Sequence, residues 1–507
     1  MKQKAGLTGL PIVLICALVW SVFHCGIRLF AGTRLAFDDG KENIFTQSFQ
    51  LGYLPDNPPL FEWTLMAIQS VTGPGLISFL ILKYSLLMLT AVFCYLTAER
   101  LLKDKVWASL SALSIILLYQ IGWNYDQVFT HSLMLTAFTA AGVWAFVRLM
   151  QMRDLSSYLI FAAIAGLGAL SKYNFSGLIA ALFLAALLKP ETRKTVLSPL
   201  MLLTPVAMAL CLLPNILYLF DHLSLYKFYI GGKLGIDNAS HIERIGSGLG
   251  RLTVAFISFY VPLVLVIAAL FPGALKPKAK LPETADQAVL NWMGKSALVA
   301  LTIMTVGVLF FGISTVSERY MVPFLMPSFF WLMARVKAVS DARQQTKRWA
   351  IALGASALIL IGLRFAEVAV AGKPFCDTCQ RWVPYEGLRE PIIAMGADET
   401  TILVGYENDT AGNLRALFPK NNVRSLLLPF YKPPVADKTG QCLFVWSKEL
   451  AGATIPPQFA RFTRTQGTQM VHVPWTHPFK TDWRETEWGI SPIPPDSPFY
   501  KTYCVSE

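Results

Sequence analysis

Eleven apolar blocks fall before residue 372, and they constrain this chain more than any other feature. They run near 9–30, 75–98, 106–122, 128–148, 156–170, 175–188, 197–220, 252–271, 296–315, 320–335 and 349–371. A helix needs ~20 apolar residues to cross a bilayer core, so a chain with this many blocks is expected to fold as an all-α polytopic membrane bundle. Charged residues are correspondingly scarce, 15% of the chain against roughly 25% for a soluble protein. The net charge of +12 does not point to nucleic acid. A nucleic-acid footprint needs one contiguous basic face, and here Lys and Arg are scattered between apolar blocks. The first block runs from Leu10 to about Phe30, longer than a signal-peptide core, so it reads as an uncleaved first span.

The basic residues give an orientation. With the N-terminus inside, every inside link is basic: Lys2 and Lys4; Arg100, Lys103 and Lys105; Arg148 and Arg153; Lys189, Arg193 and Lys194; Lys276, Lys278, Lys280 and Lys295; and Arg335 to Arg348. The short outside links 123–127, 171–174 and 316–319 carry none, one and one. This asymmetry predicts an odd number of spans, the N-terminus in the cytoplasm and the C-terminus outside.

Residues 372–507 are a different material, rich in Pro, Trp and charge, with apolar runs short enough for strands. Thr401–Tyr406, Val423–Leu428, Cys442–Trp446 and Met470–Val473 are expected strands, and Asp409–Leu417 an expected helix. The expected division is a membrane domain over 1–371, with a first outside loop at 31–74, and a soluble outside α/β domain over 372–507. Cys376, Cys379, Cys442 and Cys504 lie in this tail. Cys376-Asp377-Thr378-Cys379 cannot supply a four-ligand zinc site alone, and no second such pair occurs, so disulfides are expected. Their pairing is open.

The chemistry is expected in the first outside loop. Asp38 and Asp39 are adjacent acids just past the first span, followed by Glu42, Gly52-Tyr53 and Asp56-Asn57-Pro58-Pro59-Leu60. Adjacent carboxylates raise one another's pKa or share a cation, which suits a general base or a metal ligand, although an acidic pair is also ordinary in a solvated loop. Lys83 lies inside an apolar span, where a charge either serves a function or snorkels to the surface. Lys172 and Arg319 sit at outer span ends, as site cations or interfacial anchors. His131 reads first as a helix-packing residue and Asp126 as a turn or cap residue, while the charged loop from Asp221 to Arg244 reads equally as a clamp or a solvated loop.

Taken in order, these residues resemble the GT-C membrane glycosyltransferases, most closely the bacterial relatives of protein O-mannosyltransferases and of the lipid A aminoarabinose transferase. The resemblance rests on Asp38-Asp39, Gly52-Tyr53, the acid before Pro58-Pro59, Lys83, Gly166-Leu167-Gly168-Ala169-Leu170-Ser171-Lys172-Tyr173 and Arg319-Tyr320-Met321-Val322-Pro323. It covers about residues 9 to 371 and departs at three places, one of them a residue inserted before Pro58. Asp39 stands where that family commonly has Glu, and Asn57 stands where the aminoarabinose transferase has Lys, so no phosphate contact is carried to position 57.

The resemblance implies an inner-membrane enzyme that moves a sugar from a polyprenyl-phosphate carrier to an acceptor outside the cytoplasm. Lipopolysaccharide core, lipid A or another surface glycan would be the acceptor. Asp38 and Asp39 would be catalytic. Lys83, Lys172, Arg319 and Tyr320 would bind the donor phosphate, while Glu42, Asp56, Asn57, Asp126 and His131 would position substrate or a cation. A divalent ion between Asp39 and Asp56, or Asp38 and Glu42, is compatible with these carboxylates, and the sequence does not fix it. A transporter or flippase of a lipid-linked sugar is the rival reading. It would place ionisable groups at mid-membrane, whereas here most gather near one face.

Overall fold

The computed structural model describes residues 9–505 apart from 37, 127–130, 227–228, 230–239, 341–342, 371, 377–378, 432, 434–440, 448–466 and 481–482. Each of the eleven apolar blocks contains helix. Four early helices position the site: α1 (Leu10–Phe30), α2 (Asp38–Phe45), α3 (Leu60–Thr72) and α4 (Leu76–Leu102). Among the described residues, seven helical stretches are long and apolar enough to cross a membrane: Leu10–Phe30, Leu76–Leu102, His131–Met152, Pro199–Asp221, His241–Leu270, Gln287–Phe311 and Arg343–Ala369. Lys105–Leu117, Leu155–Ser171 and Phe175–Leu187 are shorter apolar helices.

Burial separates the centre of the bundle from its rim. In His131–Met152 83% of the apolar window is buried, against 17% in Leu10–Phe30 and in Arg343–Ala369. The rim helices expose Leu18, Val22, Phe23, Leu358 and Ile359, side chains that a lipid environment accepts without cost. The block read as 106–122 is broken: helix Lys105–Leu113 tightens into a 3-10 turn at Ser114–Leu117, and a short helix resumes at Tyr119–Gly122. The break brings Ile116 O so close to Gly122 that a Cβ there would lie 1.8 Å from it, so only glycine fits.

Acidic residues in the links act as caps. The Asp104 carboxylate accepts from the backbone N–H groups of Val106 and Trp107, Asp154 from Ser157, and Asp286 from Val289. Ser240 and Glu243 form a reciprocal capping box at His241–Leu270.

Among the described residues, the tail forms a five-stranded mixed sheet in the order β2-β1-β3-β5-β4. The strands are β1 (Ile402–Gly405), β2 (Val423–Ser425), β3 (Cys442–Ser447), β4 (Gln469–Pro474) and β5 (Glu485–Pro492). β1 pairs parallel with β2 and β3, while β3, β5 and β4 run antiparallel. The four expected strands and the helix, Asn408–Leu417, are present. β5 was not anticipated. It alternates polar residues around Trp488 and Ile490 and holds Gly489, where a Cβ would lie 2.0 Å from the Trp446 ring. The cysteines pair as Cys376–Cys379 and Cys442–Cys504. The second bridge ties β3 to the C-terminal helix Pro498–Tyr503.

The sheet unit shares a core with the first loop. Ala31, Ile44, Phe45, Tyr53 and Leu54 pack with Leu403, Leu414, Val423, Leu443 and Trp488. Helices α2 and Asn408–Leu417 touch backbone to backbone, and a Cβ on Gly412 would lie 2.1 Å from Gly40 O. Polar contacts fix the register. Asn43 Nδ2 donates to Gly412 O at 2.8 Å, and Asn413 both accepts from Leu35 N at 2.8 Å and donates to Leu35 O at 2.9 Å. Arg34 pairs with Asp409 at 2.8 Å. The tail thus holds the helix that carries Asp38 and Asp39.

Candidate functional site

Helix α2 begins at Asp38, so both acids lie in its first turn, where the helix dipole favours negative charge. The two carboxylates diverge. That of Asp38 is 46% exposed and lies 3.6 Å from Lys41 Nζ. Burial pushes its pKa up, but the positive charges of Lys41, His131, Arg319 and Lys172 outweigh burial and hold it below the ordinary carboxylate range. Asp39 points the other way, into a small pocket with Arg28, Phe61, Leu76, Phe79, Leu80 and Lys83. Burial dominates there and lifts its pKa to about 7, against the pull of Lys83 and Arg28 and with a further push from Asp38 and Glu42. One helix turn therefore presents an ionised, open carboxylate and a closed one poised near neutrality.

Lys41 follows on the same helix, 3.4 Å from Glu42 Oε1. Burial opposes its charge, but Glu42, Asp38 and Asp56 outweigh that and keep it protonated. Asp56 and Asn57 are buried, at 9% and 7% exposure, rather than free in a loop. Glu42, Glu62 on α3 and His131 at the start of helix His131–Met152 converge, all buried. His131 Nε2 lies 3.6 Å from Glu42 Oε1 and 3.5 Å from Glu62 Oε1. Burial raises the Glu62 pKa.

The cations arrive from distant segments. Lys172 ends helix Leu155–Ser171 and donates from Nζ to Ser132 Oγ at 2.9 Å. Its ammonium lies 5.8 Å from the Tyr320 ring centroid, and the Arg319 guanidinium lies 5.3 Å from the same ring. Arg319 and Tyr320 sit on the one-turn helix Glu318–Tyr320, which Asn124 tethers by donating to Glu318 Oε1 at 3.2 Å. Asp38, Lys172, Arg319 and Tyr320, chosen from separate motifs, thus lie within one electrostatic neighbourhood.

Lys83 is placed apart from that group. It lines the Asp39 pocket beside Arg28, with its ammonium 6.0 Å from the Tyr84 ring centroid. Asp126 closes the turn Asn124–Asp126, and its side chain lies outside the described residues, as do Lys227, Lys233 and Asp237 of the charged loop. Two site residues were not anticipated. Arg28 lies at the end of α1, where a basic residue reads as an anchor; it donates to the carbonyls of Gly32 and Arg34 and faces Asp39. Glu62 follows Pro58-Pro59 by three residues on α3, whose other buried positions Phe61, Leu65 and Gln69 define an inward face. A charged residue on such a face was the available signal.

Residues 56–218 match the family model for dolichyl-phosphate-mannose-protein mannosyltransferases. The lipopolysaccharide core galacturonosyltransferase RgtA of Rhizobium johnstonii is 28% identical over 467 residues, 89% of this chain and 90% of that protein. RgtB of the same organism is 27% identical over 447 residues, 87% and 88% of the two chains. A crystal structure of ArnT from Cupriavidus metallidurans bound to undecaprenyl phosphate superposes with a TM-score of 0.57 at 14% identity, covering 94% of this chain and 97% of that one. The same ArnT without ligand gives 0.56. At this identity the superposition speaks to the fold: the bundle and the sheet unit together follow the ArnT arrangement.

Proposed function

We propose, for a chain that carries a GT-C domain of the protein-mannosyltransferase type and is homologous to lipopolysaccharide core galacturonosyltransferases, that it transfers a uronic acid from a polyprenyl-phosphate carrier to lipopolysaccharide core or lipid A. The observation that carries this reading is an open Asp38 kept ionised partly by the charges of Arg319 and Lys172, two cations that share the Tyr320 ring.

The chemistry follows from those charges. An acceptor hydroxyl beside Asp38 loses its proton to the carboxylate as it attacks the anomeric carbon. The bond from that carbon to the carrier phosphate breaks, and the phosphate leaves as an anion. A phosphate is already a good leaving group, so it needs cations rather than a strong acid. Lys172 and Arg319 supply them, with Tyr320 holding both in place by its ring face. Lys41 and Asp56 position the acceptor side, while Asp39, Lys83 and Arg28 form the wall behind.

The test is direct. Membranes containing the protein, a polyprenyl-phosphate-linked galacturonic acid and lipopolysaccharide from a strain lacking the protein should yield lipopolysaccharide heavier by one hexuronic acid. Failure with this donor and with other polyprenyl-phosphate sugars would remove the reading.

The same proposal sets topology. We take all eleven helical blocks as spans, with the N-terminus in the cytoplasm, residues 1–371 as the transferase domain and 372–507 as a periplasmic domain. The basic inside links support this. The two disulfides support it as well, because such bonds persist in an oxidising compartment. A reporter active only outside the cytoplasm should be active when fused after Glu507 and silent after Lys280. The opposite pattern would place the site on the wrong face.

A further inference from the structure

We propose that Glu42, Glu62 and His131 bind one first-row divalent cation of the zinc class. Among the described residues they form the one cluster of three such side chains whose ligand atoms all lie within 4.8 Å of one another. Two of the three ligand separations have the spacing of a metal site. His131 Nε2 stands 3.6 Å and 3.5 Å from the two carboxylate oxygens. Both distances exceed the ~2.7–3.2 Å of a hydrogen bond. They match the edge of a coordination tetrahedron, since ligand bonds of about 2.0–2.2 Å put neighbouring ligand atoms roughly 3.3–3.6 Å apart.

A second observation also points to a ligand. Glu42 is 1% and Glu62 2% exposed, and Oε2 of each has no hydrogen-bond partner. Buried carboxylate oxygens without partners are costly unless something cationic meets them. The charges agree. Lys41, at 3.4 Å from Glu42 Oε1, offsets one carboxylate, and with a neutral His131 as ligand the charge of the other is left for an ion. One nitrogen and two carboxylate oxygens favour a first-row transition ion over Mg²⁺ or Ca²⁺, which prefer all-oxygen sites.

The three ligands come from α2, α3 and helix His131–Met152. An ion there pins the first loop to the most buried helix of the bundle and so fixes the direction in which Asp38 and Asp39 project. It requires neither a particular donor nor a particular acceptor, and its readout is metal content rather than sugar transfer.

The full-length protein in detergent would be stripped with a chelator, reloaded with Zn²⁺ or Co²⁺, desalted and analysed for metal. The expected result is about one ion per chain, as for a single three-ligand site, with visible ligand-field bands for Co²⁺ and a raised unfolding temperature on loading. Glu62→Gln keeps the volume and should abolish stoichiometric binding. Wild-type protein that retains no metal and shows no Co²⁺ bands would overturn the proposal in favour of a proton shared between His131 and the carboxylates. Equal binding by Glu62→Gln would overturn it too. Should that variant fail to fold, the wild-type measurement alone decides.

Discussion

Asp38→Asn should lower turnover about 10²–10⁴-fold, the usual cost of losing a general base, while donor binding and protein abundance stay normal. The expectation rests on how differently the two adjacent acids are housed. The Asp38 side chain is 46% exposed and forms its ion pair only with Lys41, at 3.6 Å among the described residues. Asparagine fits the same space, and an exposed pair of this kind contributes little to stability. The chain should therefore fold. Asp39→Asn is a different experiment. That carboxylate sits between Arg28 and Lys83 in a closed pocket, so its loss leaves two facing cations and should reduce abundance as well as rate. The pH profile separates the two residues independently. Asp38 is held ionised below the ordinary carboxylate range, so with Asp38 as base kcat/KM should stay flat as pH falls through 7 and drop only in strong acid. Asp39, raised to about 7, would give an acid limb near neutrality if it were the base. Full turnover in Asp38→Asn, or an acid limb near 7 that persists in it, would move the role to Asp39.

The sequence and the structure agree where a single physical rule decides the outcome, and part where several segments must meet. Apolar length identifies helices, so all eleven blocks contain one. Length does not settle how many cross the bilayer, because helices such as Leu155–Ser171 and Phe175–Leu187 are too short for composition to decide. Four strands were legible as short β-branched and aromatic runs. β5 was not, because its sequence Glu-Thr-Glu-Trp-Gly-Ile-Ser-Pro carries a glycine and polar residues that usually mark a turn, and Gly489 is there to admit the Trp446 ring. As candidates, Lys172 and Arg319 were legible at the ends of apolar blocks, and Asp38 as one of two adjacent acids just past the first span. Glu62 and Arg28 were not: one lies on an amphipathic helix and the other at a span end, settings where charge is ordinary. The docking of the tail onto α2 was also invisible. It depends on Gly40 meeting Gly412, two small residues 372 positions apart whose only signature is the absence of a side chain.

Arg319→Met and Lys172→Met are each expected to weaken donor binding roughly ten- to hundredfold, the value of a charge-assisted hydrogen bond of about 1.5–3 kcal/mol. Their placement motivates this. Both cations lie over the face of Tyr320, at 5.3 Å and 5.8 Å, and both act on Asp38. A phosphate held between them would lie in the same positive field that keeps Asp38 ionised. Methionine keeps much of the aliphatic stem and removes the charge, so packing on Tyr320 largely survives. Lys83→Met supplies the contrast. That ammonium lines the Asp39 pocket and lowers the Asp39 pKa, so removing it raises that pKa above about 7. The protonated form of Asp39 then persists to higher pH. With Asp38 as the base, this shift should leave kcat/KM flat through neutrality, with donor affinity changed less than in the other two variants; an acid limb that moves to higher pH in Lys83→Met would instead assign the base to Asp39. Donor titration monitored by quenching of intrinsic tryptophan fluorescence, beside kcat/KM profiles across pH, resolves the two effects. Unaltered donor affinity in both Arg319→Met and Lys172→Met would reduce these residues to interfacial anchors. A large loss of affinity in Lys83→Met alone would move the carrier phosphate into the Asp39 pocket and make Asp39, not Asp38, the carboxylate nearest the reacting carbon.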